Sequence, residues 1–442
     1  MSLPRYHEYK PSGVEWLGDV PGHWEVLPCR AFVDEQTAKN DDGKNEDYLS
    51  LMANVGIIPY AEKGDVGNKK PEDLTKCKLV SKGDFVINSM NYGIGSYGLS
   101  ALNGICSPVY IVLRPRLEKI ESRYAFRIFE NRTFQTFAQS FGNGILEHRS
   151  AINWDILKSI GMGIPPKEEQ IVILNFLDRE TAKIDALIAE QRRLVELLAE
   201  KRQAVISHAV TKGLNHNAPM KDSGIEWVGE VPKHWEVRRL KSLLKEPLMY
   251  GANEAADGDD PGNPRFVRIT DINDNGGLRE ETFRSLPLDI AQPYLLIEGD
   301  VLLARSGATV GKSFFYQDSW GSCCFAGYLI RARLNQNVLS PDFFYACCQS
   351  TFYWQYVSGT QIQSTIQNVS AEKYANLWLP CPPTEEQQTI AAFLDNKTAK
   401  FDALTAEANR AIELLKERRN ALISAAVTGK IDVREARLLE VA

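Results

Sequence analysis

Apolar residues fall at helical spacing from Pro165 to Gly213, at Ile173, Leu174, Leu177, Ile184, Leu187, Ile188, Leu194, Val195, Leu198 and Val205. Such a stripe predicts one long amphipathic helix. The pattern returns from Pro382, with Ile390, Leu394, Phe401, Leu404, Ile412, Leu415 and Leu422. Phe176-Leu177-Asp178 becomes Phe393-Leu394-Asp395, and Thr181-Ala182-Lys183 becomes Thr398-Ala399-Lys400, each 217 positions on, so the helix is duplicated. Placing Leu177, Ile184, Leu198 and Val205 at one heptad position puts Ile173, Leu187 and Leu194 at the second, with Gln191 as an interruption. The second copy offers Leu394, Phe401, Leu415 and Leu422 for the same seam, interrupted at Ala408. Each copy opens on a double proline, whose missing N–H costs nothing in a first turn, followed by Glu168-Glu169 or Glu385-Glu386 at the positive end of the helix dipole. Gly213 and Gly429 are natural stops. About 46 residues at about 1.5 Å each make a rod of roughly 70 Å.

Chain order gives the direction of the pair. The second globular part starts where the first helix ends and finishes where the second helix starts, so the helices are expected to run antiparallel. That places two α+β parts at opposite ends of one two-helix coil, related by a pseudo-twofold axis. The boundaries follow as residues 1–164, a helix over 165–213, residues 214–381, a helix over 382–430, and a tail over 431–442.

A second repeat opens each half. Ser12 to Val26 reads SGVEWLGDVPGHWEV and recurs, 211 positions on, as SGIEWVGEVPKHWEV from Ser223 to Val237. Trp16, Trp24, Trp227 and Trp235 are expected to staple this head to the helix pair, with His23 and His234 following the same logic. Between head and helix, residues 27–164 and 238–381 diverge while keeping one frame. Strands are predicted at Asp84–Asn88 and Val109–Leu113 in the first insert, and at Phe266–Thr270, Asp300–Ala304 and Tyr328–Ala332 in the second. Helices are predicted over Tyr124–Phe137, with Phe126, Phe129, Phe134 and Phe137 as core, and over Pro341–Tyr356. A constant scaffold with two different inserts suggests two modules that read different things.

The charge balance, 51 Lys and Arg against 57 Asp and Glu for a net of −6, argues against a free-standing electrostatic nucleic-acid binder unless basic residues cluster or partners supply them. Eight cysteines without a CxxC suggest neither a zinc site nor a disulfide framework. No metal site is expected. Without an apolar leader core or a run of eighteen apolar residues, the chain is expected to be cytoplasmic and away from membranes.

Polar, glycine-rich loops carry the candidate chemistry. Gly307-Ala-Thr-Val-Gly-Lys-Ser313 has three residues between its glycines where a phosphate loop needs four, and the Phe314-Phe315-Tyr316 run after it reads as a strand rather than a helix. It is either an ordinary solvated hairpin or one that approaches a DNA groove with Arg305, Ser306, Thr309 and Lys312 as donors. The matching place in the first insert holds Asn88, Ser89, Asn91 and Tyr92. Loops ahead of each double proline offer His148 and Arg149, then Gln361 and Gln363, and Arg268 lies on an alternating, half-buried strand pattern. Catalytic machinery is not legible. The chain has no Asn-Pro-Pro-aromatic tetrad and no Phe-x-Gly-x-Gly loop, and its serines, cysteines and histidines form no readable triad.

The duplicated PP-x-EEQ…FLD…TAK-x-DAL helices, the duplicated heads and the GDVLLARSGATVGK block from Gly299 to Lys312 resemble the specificity subunits of type I restriction-modification systems, over essentially the whole chain. The resemblance implies two target-recognition domains, each reading one half of a gapped asymmetric site on double-stranded DNA. It also implies a helical coil that spaces them and docks two methyltransferase subunits. Motor-nuclease subunits would join that core, and the chain would have no catalytic site and no cofactor of its own, S-adenosylmethionine being bound by the methyltransferase. Asn88-Ser89 departs from the Ala304-Arg305 pattern of the second insert. Two other readings stay open: an enzyme with one catalytic insert, and an adaptor that binds only proteins.

Overall fold

In a computed structural model, the described residues are 4–67, 69–141, 151–273, 276–307, 309–361 and 368–435. The chain forms two compact units, one of residues 1–191 with 410–442 and the other of residues 192–409. Two long helices, Lys167–Lys212 and Thr384–Val427, each contribute residues to both units.

In the first unit the head is an antiparallel hairpin of Tyr9–Pro11 with Asp19–Pro21, and Glu25–Pro28 then pairs antiparallel with Gly161–Ile164. The strand leaving the insert is thereby tied to the strand entering it, directly before Pro165 and the first long helix. The insert is built on a four-stranded antiparallel sheet in the order Val33–Glu35, Tyr110–Pro115, Phe85–Asn88, Tyr97–Leu99. Alternation decides its two faces. Phe85, Ile87, Ile111 and Leu113 join the core formed with Phe129 and Phe134, while Val86, Tyr110 and Val112 pack on Leu49, Leu51 and Val80.

The second unit repeats this plan. Its head pairs Met220–Asp222 with Glu230–Pro232, Glu236–Arg239 pairs with Trp378–Cys381, and the sheet runs Met249–Tyr250, Leu329–Ala332, Val301–Ala304, Ser313–Phe315. Val301, Leu303, Ile330 and Ala332 face the helices, while Leu302, Ala304, Phe314 and Leu329 fill a core on the other side. Both inserts use one buried aspartate to brace the sheet. Asp84 accepts from Ser81 N and from Arg114, and Asp300 accepts from Ile297 N and from Arg333.

Several expectations are corrected. The helix expected over Tyr124–Phe137 is two, Ser122–Glu130 and Arg132–Ser140, because Asn131 leaves helical geometry and caps the second with its side chain on Thr133 N. Of its four phenylalanines, Phe129 and Phe134 are fully buried, whereas Phe126 and Phe137 only pack against that core. Likewise Pro341–Tyr356 divides into Pro341–Cys348 and Thr351–Gln361. The strand expected over Phe266–Thr270 covers Arg265–Val267, pairs parallel with Cys323–Phe325, and passes into a tight turn at Ile269–Asp271.

Within each unit the two long helices lie antiparallel. In the first, Ile184 and Ile188 pack with Ile412, while Ile173 and Leu177 share a core with Ile423, Ala426 and Val427. In the second, Ile206 and Val210 share a core with Ile390 and Leu394. Of the residues expected in the seam, Leu177, Ile184, Leu198 and Leu394 are buried, and Val205, Phe401, Leu415 and Leu422 are half-buried. The expected second heptad position holds at Ile173, which is fully buried, and fails at the other two residues. Leu187 and Leu194 are 45% and 42% exposed, and the buried or half-buried partners of the seam are Thr181, Ile188, Val195, Arg202 and Ala209. The first helix is apolar on both flanks of Ile184, and the neighbouring helix covers only the flank that carries Ile188. Thr398, Thr405, Ile412, Arg419 and Ala426 form the same position in the second helix. Ala408, expected to interrupt the seam, is buried within it. The repeat also carries an ion pair twice: Arg419 reaches Asp185 at 3.1 Å and Arg202 reaches Asp402 at 3.5 Å.

Candidate nucleic-acid interface

The signature at the start of each long helix works as a junction. In the first unit Glu169, buried, accepts from Trp24 Nε1 at 3.0 Å and Tyr6 OH at 2.7 Å, and meets His23 Nε2 at 2.6 Å. In the second, Glu386 accepts from Trp235 Nε1 at 3.0 Å and meets His234 Nε2 at 2.8 Å. Trp24, Trp235, His23 and His234 therefore clamp the helix start, as expected of staples, whereas Trp16 donates to Gly161 O and packs on Phe134, and Trp227 packs on Tyr356. The next residue ties in the insert. Gln170 donates to the carbonyls of Pro165 and Lys119 and accepts from Glu121 N, while Gln387 donates to those of Pro382 and Val338 and accepts from Ser340 N. Both glutamines are fully buried, so every polar atom of the amide has to find a partner there. Gly213 and Gly429 end the helices in the left-handed region, at φ +71° and +68°. A Cβ on either would crowd Trp235 or Trp24 at 3.1 or 3.3 Å.

From this frame the inserts present their loops at equivalent places. Ser89 follows the strand Phe85–Asn88 and its carbonyl accepts from Ile152 N; Arg305 follows Val301–Ala304 and its carbonyl accepts from Val369 N. Arg305 N donates to Tyr328 O at 3.0 Å, and Ser89 Oγ to Val109 O at 3.3 Å. The second hairpin is pinned from inside, with Tyr374 OH on Ala304 O at 2.7 Å and Tyr353 OH on Gly311 O at 2.8 Å. In the first, the Arg132 guanidinium holds Gly93 O.

The candidate residues separate on this geometry. Arg305 and Ser306 are half-buried and Thr309 is exposed, all on one hairpin. Lys312 donates to Ile272 O at 3.2 Å, inside the module. Ser89 and Asn91 are half-buried on the matching loop. Asn88 is buried and spends its Oδ1 on Met90 N. Tyr92 is a core residue instead of a surface reader, fully buried with its hydroxyl on Phe129 O, and burial pushes that phenol well above its usual range. Arg268, expected on a half-buried strand, sits where the strand turns, and its guanidinium is held by Asp271 and by Thr282 O. His148, Arg149 and Gln363 lie outside the described residues, and Gln361 ends the helix that begins at Thr351. Two exposed rings missed by sequence reasoning flank Arg305: Tyr250, whose ring lies 4.7 Å from the guanidinium, and Tyr328, 67% exposed. Neither belongs to a motif, and only strand pairing brings them to the hairpin.

All eight cysteines are free and buried. Among the described residues no group of three or more His, Cys, Asp or Glu is placed to hold a metal ion, and no helix is long and apolar enough to cross a membrane.

Two repeated heads, two repeated junctions and two divergent inserts coincide with a known pattern. The type I restriction modification DNA specificity domain matches this sequence twice, over residues 39–197 and 232–414. The chain belongs to that family. Relatives within it include the type I restriction enzyme MjaVIII specificity subunit of Methanocaldococcus jannaschii, 22% identical over 94% of each chain. Another is the EcoKI specificity subunit of Escherichia coli (strain K12), 24% identical over 94% of this chain and 90% of that one. Among solved structures, one from a study of complex assembly and conformational transition of the type I R-M system aligns over 92% of this chain and 98% of its own, with a TM-score of 0.64 and 17% identity. That likeness is one of fold, and the two family matches cover most of the first insert and all of the second, each with part of a long helix of this specificity-domain chain.

Proposed function

We propose that this chain is the DNA sequence-specificity subunit of a type I restriction-modification complex, with residues 1–164 and 214–381 as its two target-recognition domains. Each domain reads one half of a gapped, asymmetric site on double-stranded DNA. The helices over 165–213 and 382–430 set the spacing of the two and dock two methyltransferase subunits, which bind S-adenosylmethionine and methylate adenine. Motor-nuclease subunits complete the restriction enzyme, and the assembly works in the cytoplasm. The observation that carries this reading is the equivalence of Ser89 and Arg305: one backbone frame, held by the same junction, offers different side chains at the same place. Reading two unlike half-sites requires that combination, because backbone frame positions a protein on DNA and side chains at base edges select the sequence.

The test is to map methylated adenines in a host that makes this chain together with its cognate methyltransferase subunit. A two-part, gapped motif that disappears when this chain is omitted is the expected result. Methylation independent of the chain would overturn the proposal.

A further inference from the structure

Four arginines of the second module are held by carboxylates, and Arg305 is not. Arg265 is held by Arg279 O and Glu280, Arg268 by Asp271, Arg331 by Glu246, and Arg333 by Asp300 and Glu246. These side chains are structural. Arg305 has no carboxylate and no side-chain hydrogen bond among the described residues; its Nε, like those of Arg265 and Arg331, is buried without a partner, and its guanidinium rests on the ring of Tyr250. That ring is itself fixed, since Tyr250 OH accepts from Ala371 N at 2.9 Å.

Its backbone is rigid as well, tied on one side to Tyr328 O and on the other to Val369 N, with Tyr353 and Tyr374 holding the base of the hairpin. Gly307 follows at φ +79° with open space where a Cβ would stand, so a second molecule can come close to the backbone there. A planar cation stacked on an aromatic ring, pre-set in direction and lacking an internal partner, suits an acceptor pair outside the chain. In duplex DNA the pair that matches a guanidinium fork is O6 and N7 of guanine in the major groove.

We propose that Arg305, steered by Tyr250 and flanked by the exposed Tyr328, is the guanine-reading group of the second module. The half-site of that module therefore contains a G·C pair, whereas the first module, with Ser89 and Val109 at the equivalent positions, reads its half-site without an arginine there. This rests on the DNA-reading role proposed above.

The experiment maps the methylated motif of the complex formed by the full chain and its cognate methyltransferase subunit, for the native chain, Arg305→Ala and Arg305→Lys. Both variants are expected to keep the gapped motif and to lose about tenfold discrimination at one G·C position of one half-site. The lysine variant keeps the charge, so it separates base reading from folding and from attraction to phosphate. An unchanged motif, an even fall in methylation over all sites, or relaxation at an A·T position overturns the assignment, as does a native motif with no G·C pair in the second module's half-site. If the native chain itself directs no gapped motif, it is the broader functional reading that fails.

Discussion

Glu169 and Glu386 occupy the same place in two copies of one helix, yet they are wired unequally. Glu169 is 7% exposed and holds Trp24, His23 and Tyr6, whereas Glu386 is 29% exposed and holds Trp235 and His234. The difference traces to the heads, because the position equivalent to Tyr6 in the second repeat is Asn217, which is exposed. Repetition thus preserved the clamp that orients each insert, tryptophan and histidine on glutamate, and let the third contact vary. The inserts show the converse. Their sheets keep the same strand order and the same buried aspartate, while the residues at the hairpin, Ser89 against Arg305, were free to differ.

Unequal wiring predicts unequal damage. Glu169→Ala strands the buried Trp24 and Tyr6 donors and is expected to cost about 4 kcal/mol, as for breaking a buried charged network. Glu386→Ala is expected to cost about 2 kcal/mol, the scale of hydrogen bonds to a charged group nearer to water. Hydrogen exchange resolved at each junction checks both figures. Equal losses would mean that Tyr6 adds nothing to the first clamp.

Next in size is the contrast between two adjacent seam candidates. Ile188 is 7% exposed and packs with Ile412, whereas Leu187 is 45% exposed. Ile188→Ala should cost about 2 to 3 kcal/mol, and Leu187→Ala less than about 0.5 kcal/mol, measured by urea denaturation. The reverse ranking would restore the seam that the sequence suggests.

That seam shows what the sequence could and could not carry. Duplication made the helices and their antiparallel order legible, and the PPxEEQ signature marked the junction without revealing that its glutamate and glutamine are hydrogen-bonding hubs. The buried flank was hidden because both flanks of Ile184 are apolar, so only the neighbouring helix decides between them. The hairpins were found as polar, glycine-rich interruptions between strands. Tyr92 was misjudged because a tyrosine in a polar loop reads as exposed, and its burial depends on Phe129, 37 residues away. Tyr250 and Tyr328 were missed because pairing of distant strands, and no local pattern, sets them beside Arg305.

A last prediction concerns the thiols, whose effect is small near neutral pH. Burial pushes Cys106, Cys323, Cys324 and Cys381 up to about 12. Near pH 8.5 they should alkylate only on unfolding, in both inserts alike, as read by mass spectrometry. The same shift has a sign for stability. The unfolded chain releases these protons from about pH 8.5 upward while the folded one retains them, so this contribution is intact below that pH and lost as pH rises toward 12.

The central claim is that one repeated frame carries two independent reading surfaces. Its most direct measurement exchanges residues 27–164 for the corresponding insert of a relative with a different target, then maps the adenine motif methylated by the complex. The account predicts that one half-site changes while the other half-site and the gap stay as they were. A change in both half-sites, or in neither, would contradict it.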